Sequence, residues 1–309
     1  MSPEGAAAAA VPRSGAGAQA APARILLLTL VALLAFAGNS ILCRLALGER
    51  SIDAASFATL RLGSGALFLW LVLRLHAGRT AGSWAGGLAL ALYAVPFTFA
   101  YLLLGAGTGA LVLFGCVQAI MIAAGLREGE RPRGREWVGL LLALGGLVYL
   151  VAPGLTAPAP LGSILMAVAG SAWAVYSLLG RGAASPVAAT AGNFLRAFPF
   201  ALLVSLACLR AAHLSPRGAL LAAVSGAITS GLGYVIWYAA LRGLTATRAA
   251  TAQLAVPVLA AAGGVLLLGE PVTVRLALAA LLILGGIALA LQGRRQPATP
   301  PAAGDVTRA

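Results

Sequence analysis

From Ile25 to Leu291 the chain is filled by ten apolar stretches of near bilayer-spanning length, and the last five repeat the first five in order. Five is odd, so a second copy that starts where the first ended must enter the membrane upside down. That is the inverted-repeat arrangement of secondary transporters. The expected fold class is therefore an all-α polytopic membrane protein, with ten transmembrane helices arranged as two inverted five-helix repeats.

A span needs about 20 apolar residues to cross a hydrocarbon core of roughly 30 Å. The pattern places spans at Ile25 to Leu47, Ala54 to Leu75, Trp84 to Leu104, Thr108 to Leu126 and Trp137 to Ala152. The second five run Leu161 to Leu179, Val187 to Leu209, Leu220 to Leu241, Ala249 to Leu268 and Leu276 to Leu291. The repeats thus cover 25–152 and 161–291, and the Ala-, Gly- and Pro-rich ends, 1–24 and 292–309, read as disordered cytoplasmic tails. The fifth and tenth spans are short. Each carries a Gly-Gly pair, Gly145-Gly146 and Gly285-Gly286, which suits close helix packing.

The duplication shows in the residues themselves. At an offset of 140, eight of the 18 positions from Gly129 to Gly146 are identical to Gly269 through Gly286, including Glu130 with Glu270 and Arg135 with Arg275. At the front of each half AFAGNSILCR answers to AWAVYSLLGR, matching Ser40 with Ser177 and Arg44 with Arg181. Hydrophobicity alone does not make a Gly-Glu and an Arg recur at one offset.

Charge fixes the orientation. With 61% apolar and 9% charged residues the chain is no soluble domain, and its net charge of +13 comes from 21 basic residues, all Arg, nearly all in short loops. Such spacing suits lipid headgroups and argues against nucleic acid, whose binders gather basic residues on one wet face. With a cytoplasmic N-terminus, fourteen Arg fall on the cytoplasmic side and five (Arg44, Arg50, Arg210, Arg217, Arg275) opposite. The positive-inside rule then puts both termini in the cytoplasm. Cys43, Cys116 and Cys208 lie in three different spans with no metal or disulfide spacing, and read as packing residues.

Ten spans as five plus five, FAGNSILCR in the first, TLRLGSGAL in the second and Gly-Glu after the fourth and ninth together resemble the drug/metabolite transporter superfamily, in its EamA group. Among its members the likeness is to bacterial inner-membrane exporters of amino acids, the aromatic amino-acid branch included. The resemblance implies a central substrate cavity lined by the first, third, fourth, sixth, eighth and ninth helices, with no cofactor. Carried onto this sequence it points to Asn39, Phe97, Tyr101, Gln118, Trp173, Tyr176, Tyr234, Trp237, Tyr238 and Gln253. Asn39 answers to Tyr176, so the two walls are not chemically equivalent.

Each of these residues has a plainer reading. Asn39, Gln118 and Gln253 offer the paired donor and acceptor that a zwitterion needs, and serve equally in interhelical hydrogen bonding. Tyr234, Trp237 and Tyr238 share a helix face, the last two near enough to the end to join an interfacial aromatic belt. Ahead of them Ser225, Thr229 and Gly233 form a small-residue ridge. Arg61 and Arg196, several residues inside matching spans, suit either a carboxylate clamp or a structural pair held by backbone carbonyls. Glu130 and Glu270 read as loop anchors, and Pro257 as a kink or hinge in the ninth span.

The reading is a facilitative carrier, a uniporter, that exports small metabolites, amino acids foremost, by alternating access; its partners are the solute and the bilayer, as monomer or homodimer. Efflux of cationic drugs is the rival within transport, but no span holds an acid in its interior. A membrane-embedded enzyme would need a nucleophile with a base, yet His76 and His213 fall in loops on opposite faces.

Overall fold

The computed structural model describes residues 22–130, 134–151 and 158–292. Its helices are α1 (Pro22–Gly48), α2 (Ala54–Leu75), α3 (Trp84–Ala100), α4 (Ala106–Arg127), α5 (Gly134–Val151), α6 (Pro160–Gly180), α7 (Pro186–Ala207), α8 (Pro216–Leu241), α9 (Ala246–Leu268) and α10 (Val274–Gln292). Seven of them, all but α3, α5 and α10, are long and apolar enough to cross a membrane. The chain is thus a multi-pass membrane protein. Of the expected tails, 1–21 and 293–309 lie outside the described residues, as does Ala152, the end of the fifth expected span. Residues 22–24, expected in the first tail, are already helical, Pro22 standing first in α1 where a missing N–H costs nothing.

Local chemistry starts the helices where the sequence permits. Asp53, Ser83, Ser185, Ser215 and Thr245 each accept a hydrogen bond from the N–H three residues on, capping α2, α3, α7, α8 and α9. Asp53 also accepts from the His213 N–H at 2.9 Å, tying the α1–α2 loop to the α7–α8 loop. Partial burial works to raise its pKa, but these hydrogen bonds outweigh burial and hold it below its ordinary value. The stability this lends is complete at neutral pH and is lost as pH falls through that lowered pKa.

Three helices depart from simple rods. α3 ends at Ala100 rather than at Leu104, because the Tyr101 carbonyl is taken by Arg44 Nη1 at 3.1 Å and the chain turns there. α8 carries a π-helical segment, Ser225–Leu232. α9 is interrupted at Leu254, between Gln253 and Ala255. Pro257 accounts for the last: its ring clashes with the carbonyl four residues back, that of Gln253, and it has no N–H to bond it.

In the packing, α5 lies along α10, α2 against α7 and α8, α3 against α6 and α7, α4 against α6 and α9, and α1 against α8 and α9. The second glycine of each Gly-Gly pair makes the α5–α10 approach. A Cβ on Gly146 would meet Leu282 and Ile283, and one on Gly286 would meet the Gly139 carbonyl and Ala143, while Gly145 has open space.

Candidate functional site: a buried arginine among tyrosines

Arg61 lies about a third of the way along α2 with no exposed surface. Its Nε donates to Ser230 Oγ at 2.9 Å, and its Nη2 reaches the hydroxyls of Tyr234 at 2.6 Å and Tyr93 at 3.1 Å. The rings of Tyr93 and Phe97 lie beside the guanidinium, at 5.1 and 4.9 Å from its carbon. This is cation–π distance. Nη1 is buried without a hydrogen-bond partner.

Asn39 continues the network from α1. Its Nδ2 donates to the Tyr93 hydroxyl at 3.2 Å, and its Oδ1 accepts from Ser225 Oγ at 2.6 Å and, at 3.4 Å each, from Thr229 and Ser230. The π-helical segment makes this convergence possible. The wider turn of the i→i+5 register brings Ser225 and Ser230 toward one face, where an α-helix would turn them apart. The same register turns Gly226 toward α2, so close that a Cβ there would collide with the Arg61 carbonyl and Ser64 Oγ.

An aromatic wall closes over these polar groups. Trp173 of α6 lies 4.9 Å from Tyr93, 4.6 Å from Tyr234 and 5.1 Å from Phe36, ring centre to ring centre. Tyr234 also touches Phe36, Tyr176 and Phe194. The indole N–H of Trp173 donates to Gln253 Oε1 at 2.7 Å, beside the break in α9. In this conformation the side chains named for a cavity wall pack against one another. A recess of about 480 Å³ lies elsewhere, between the ends of α4 and α6, lined by Ile120, Ala123, Ala124, Arg127, Glu128 and Leu178.

The other expected residues fall in distinct places. Trp237 and Tyr238 are fully buried and donate to Ser177 Oγ at 3.1 Å and the Tyr176 carbonyl at 3.0 Å, which removes them from any interfacial belt. Tyr101 packs edge-on against Phe97 at 4.7 Å, extending the wall toward the far end of α3. Gln118 is buried in α4, its Oε1 without a partner. Arg196, expected to mirror Arg61, is only partly buried; its Nη1 donates to the carbonyls of Ala81 and Gly192 at 2.9 and 2.8 Å, and Trp84 flanks it. The two arginines therefore occupy unlike environments.

Glu130 and Glu270 act reciprocally. Glu270, after α9, accepts the Ala106 N–H that opens α4 and pairs with Arg44 at 3.1 Å; Gly105 before that helix has no side chain to cap it. Glu130, after α4, accepts the Ala246 and Thr247 N–H groups that open α9. Gly129 and Gly269, at φ 86° and 64°, allow the left-handed turn that delivers each carboxylate.

Tyr93, Ser230 and Phe36 are the central residues that sequence reasoning passed over. Tyr93 lies four residues before Phe97 and eight before Tyr101, on one stripe of α3, and that spacing was its signal. The doubled Ser-Gly of Ser225-Gly226 and Ser230-Gly231, five apart, was the signal for the π-helical register.

Residues 160–292 match the family described as EamA-like transporters. Over 274 residues the chain is 54% identical to the uncharacterized protein PA1977 of Pseudomonas aeruginosa, covering 88% of this chain and 96% of that one. An uncharacterized transporter of Archaeoglobus fulgidus is 25% identical over 287 residues (87% and 98% covered), and the uncharacterized transporter YwfM of Bacillus subtilis 28% over 265 (81% and 89%). The chain belongs to the EamA-like transporter family. A crystal structure 22% identical to this EamA protein matches it with a TM-score of 0.63 over 85% of this chain and 98% of that one, a likeness of fold.

Proposed function

We propose that this EamA transporter is a facilitative carrier that exports amino acids or similar small metabolites across the bacterial inner membrane, its halves forming two inverted repeats about a central site. One observation carries the reading: side chains of both halves, Asn39, Arg61 and Tyr93 with Trp173, Ser230 and Tyr234, converge in a buried polar and aromatic cluster. Carriers place substrate at the repeat interface near the midplane. Exchanging each helix with the one five places later maps the larger helix contacts onto one another: α1 on α8 becomes α6 on α3, and α1 on α9 becomes α6 on α4. The reciprocal caps of Glu130 and Glu270 obey the same exchange.

Alternate crossing agrees with the contacts between loops among the described residues. Asp53 meets His213, and Arg217 in the first turn of α8 pairs with Glu49 at 2.9 Å, all at the end assigned to the periplasm. Arg181 pairs with Glu128 at the assigned cytoplasmic end. In a background without Cys43, Cys116 and Cys208, Ala212→Cys is expected to react with an impermeant thiol reagent in whole cells and Ala184→Cys is not. The reverse pattern would invert the topology.

The test of function is efflux of labelled amino acids from proteoliposomes. Flux is expected to run down the solute gradient and to change less than about twofold under an imposed pH gradient, since a proton-coupled carrier needs an acid or histidine inside the membrane. Every Asp and Glu among the described residues lies in a loop or near a helix end. Uphill accumulation that an uncoupler abolishes would overturn the facilitative reading, and dependence on Glu130 or Glu270 would move those caps into a proton path. Efflux of cationic drugs is disfavoured by a central site that itself carries a buried cation.

A further inference from the structure

We infer that Arg61 is the headgroup subsite of the carrier, and that it selects solutes bearing a carboxylate whether or not they also carry an ammonium. The inference deepens the carrier reading and rests on it. A guanidinium has five N–H donors. Here Nε and Nη2 are held by Ser230, Tyr93 and Tyr234, while both hydrogens of Nη1 are without a partner in a fully buried side chain. The partners that Arg61 does have are hydroxyls and rings, all formally neutral, and no salt bridge reaches it among the described residues. Arg44, Arg181 and Arg217, nearer the helix ends, each have a glutamate.

A buried charge without a counter-charge is unfavourable, and a buried donor without an acceptor adds to that. A purely structural arginine would have its last nitrogen satisfied, as Arg196 Nη1 is by two backbone carbonyls. An anionic solute supplies both missing elements at once. The clamp differs from a side-on bidentate pair, because Nε and Nη2 are already engaged. The carboxylate is met through Nη1, and the apolar body of the solute by the rings of Phe97, Tyr93 and Trp173 alongside. Among the described residues no carboxylate pairs with Arg61 to receive an ammonium, so the subsite reads only the anionic end.

Phenylalanine (carboxylate and ammonium), N-acetylphenylalanine (carboxylate only) and phenylalaninamide (ammonium only) separate these terms. Binding to the purified full chain in detergent is measured by calorimetry, with efflux of labelled phenylalanine from proteoliposomes run in parallel. Both carboxylates are expected to bind at least about tenfold more tightly than the amide, the usual scale of a charge-assisted hydrogen bond. Arg61→Gln is expected to erase that preference, and Arg61→Lys to keep part of it. The wild-type comparison stands even if Arg61→Gln does not fold. An amide that binds as well as the carboxylates would overturn the inference, as would a folded Arg61→Gln that keeps the preference. Absence of binding by all three, with phenylalanine efflux intact, would overturn the subsite and leave the carrier; absence of both would remove the two together.

Discussion

Transport by Tyr234→Ala and by Gln253→Ala is expected to fall tenfold or more at equal membrane abundance, while Cys116→Ala transports normally. Tyr234 joins the two halves twice over. Its hydroxyl touches Arg61 and Tyr93, and its ring touches five others. Loss of a hydrogen bond to a charged group costs about 1.5–3 kcal/mol, and loss of the ring adds packing energy that the site has no means to recover. Tyr234→Phe separates the terms, since it keeps every ring contact and removes only the hydroxyl. A tenfold loss in that variant as well would assign the effect to the Arg61 network. Gln253→Ala leaves the Trp173 indole N–H buried without its acceptor, at about 1–3 kcal/mol. Wild-type flux in both alanine variants would move the site elsewhere.

The helices and the reciprocal Gly-Glu motifs were legible because each depends on composition or on repetition. A run of aliphatic residues needs no knowledge of its neighbours to be read as a helix. Pro257 was legible for the same reason, because its effect on Gln253 is confined to one turn. What decided the centre was not local. Arg61 and Arg196 sit at like depths in like helices, and nothing in either span tells that α3 and α8 surround the first with hydroxyls while the second meets the chain at Ala81 and Gly192. Ser225, Thr229 and Gly233 read as one stripe at four-residue spacing. That stripe does face α1, with Thr229 beside Gly38 and Gly233 beside Ala35, and the π-helical register adds Ser230 to Ser225 and Thr229 at Asn39. A period of 3.6 assumed in advance turns Ser230 away from that face, and only the wider turn of the i→i+5 register brings it back.

Gly226→Val is expected to lower the stability of the folded protein by about 3 kcal/mol and to abolish transport, the larger steric effect among the substitutions considered. The reason lies in the same π-helical segment. Gly226 lies against the Arg61 carbonyl, and an added Cβ would overlap that oxygen and Ser64 Oγ. Ser64 has little freedom to yield, since its hydroxyl already bonds the Arg61 and Ala223 carbonyls across the α2–α8 contact. The helices must therefore separate, carrying Arg61 away from Ser230 and Tyr234. Gly48→Ala supplies the comparison, as a Cβ there meets nothing within 4 Å. It should be neutral within about 0.5 kcal/mol. Thermal unfolding in detergent measures both. A wild-type unfolding temperature for Gly226→Val would show that α2 and α8 do not meet backbone to backbone, and Arg61 could then no longer be held to the tyrosines in the way described.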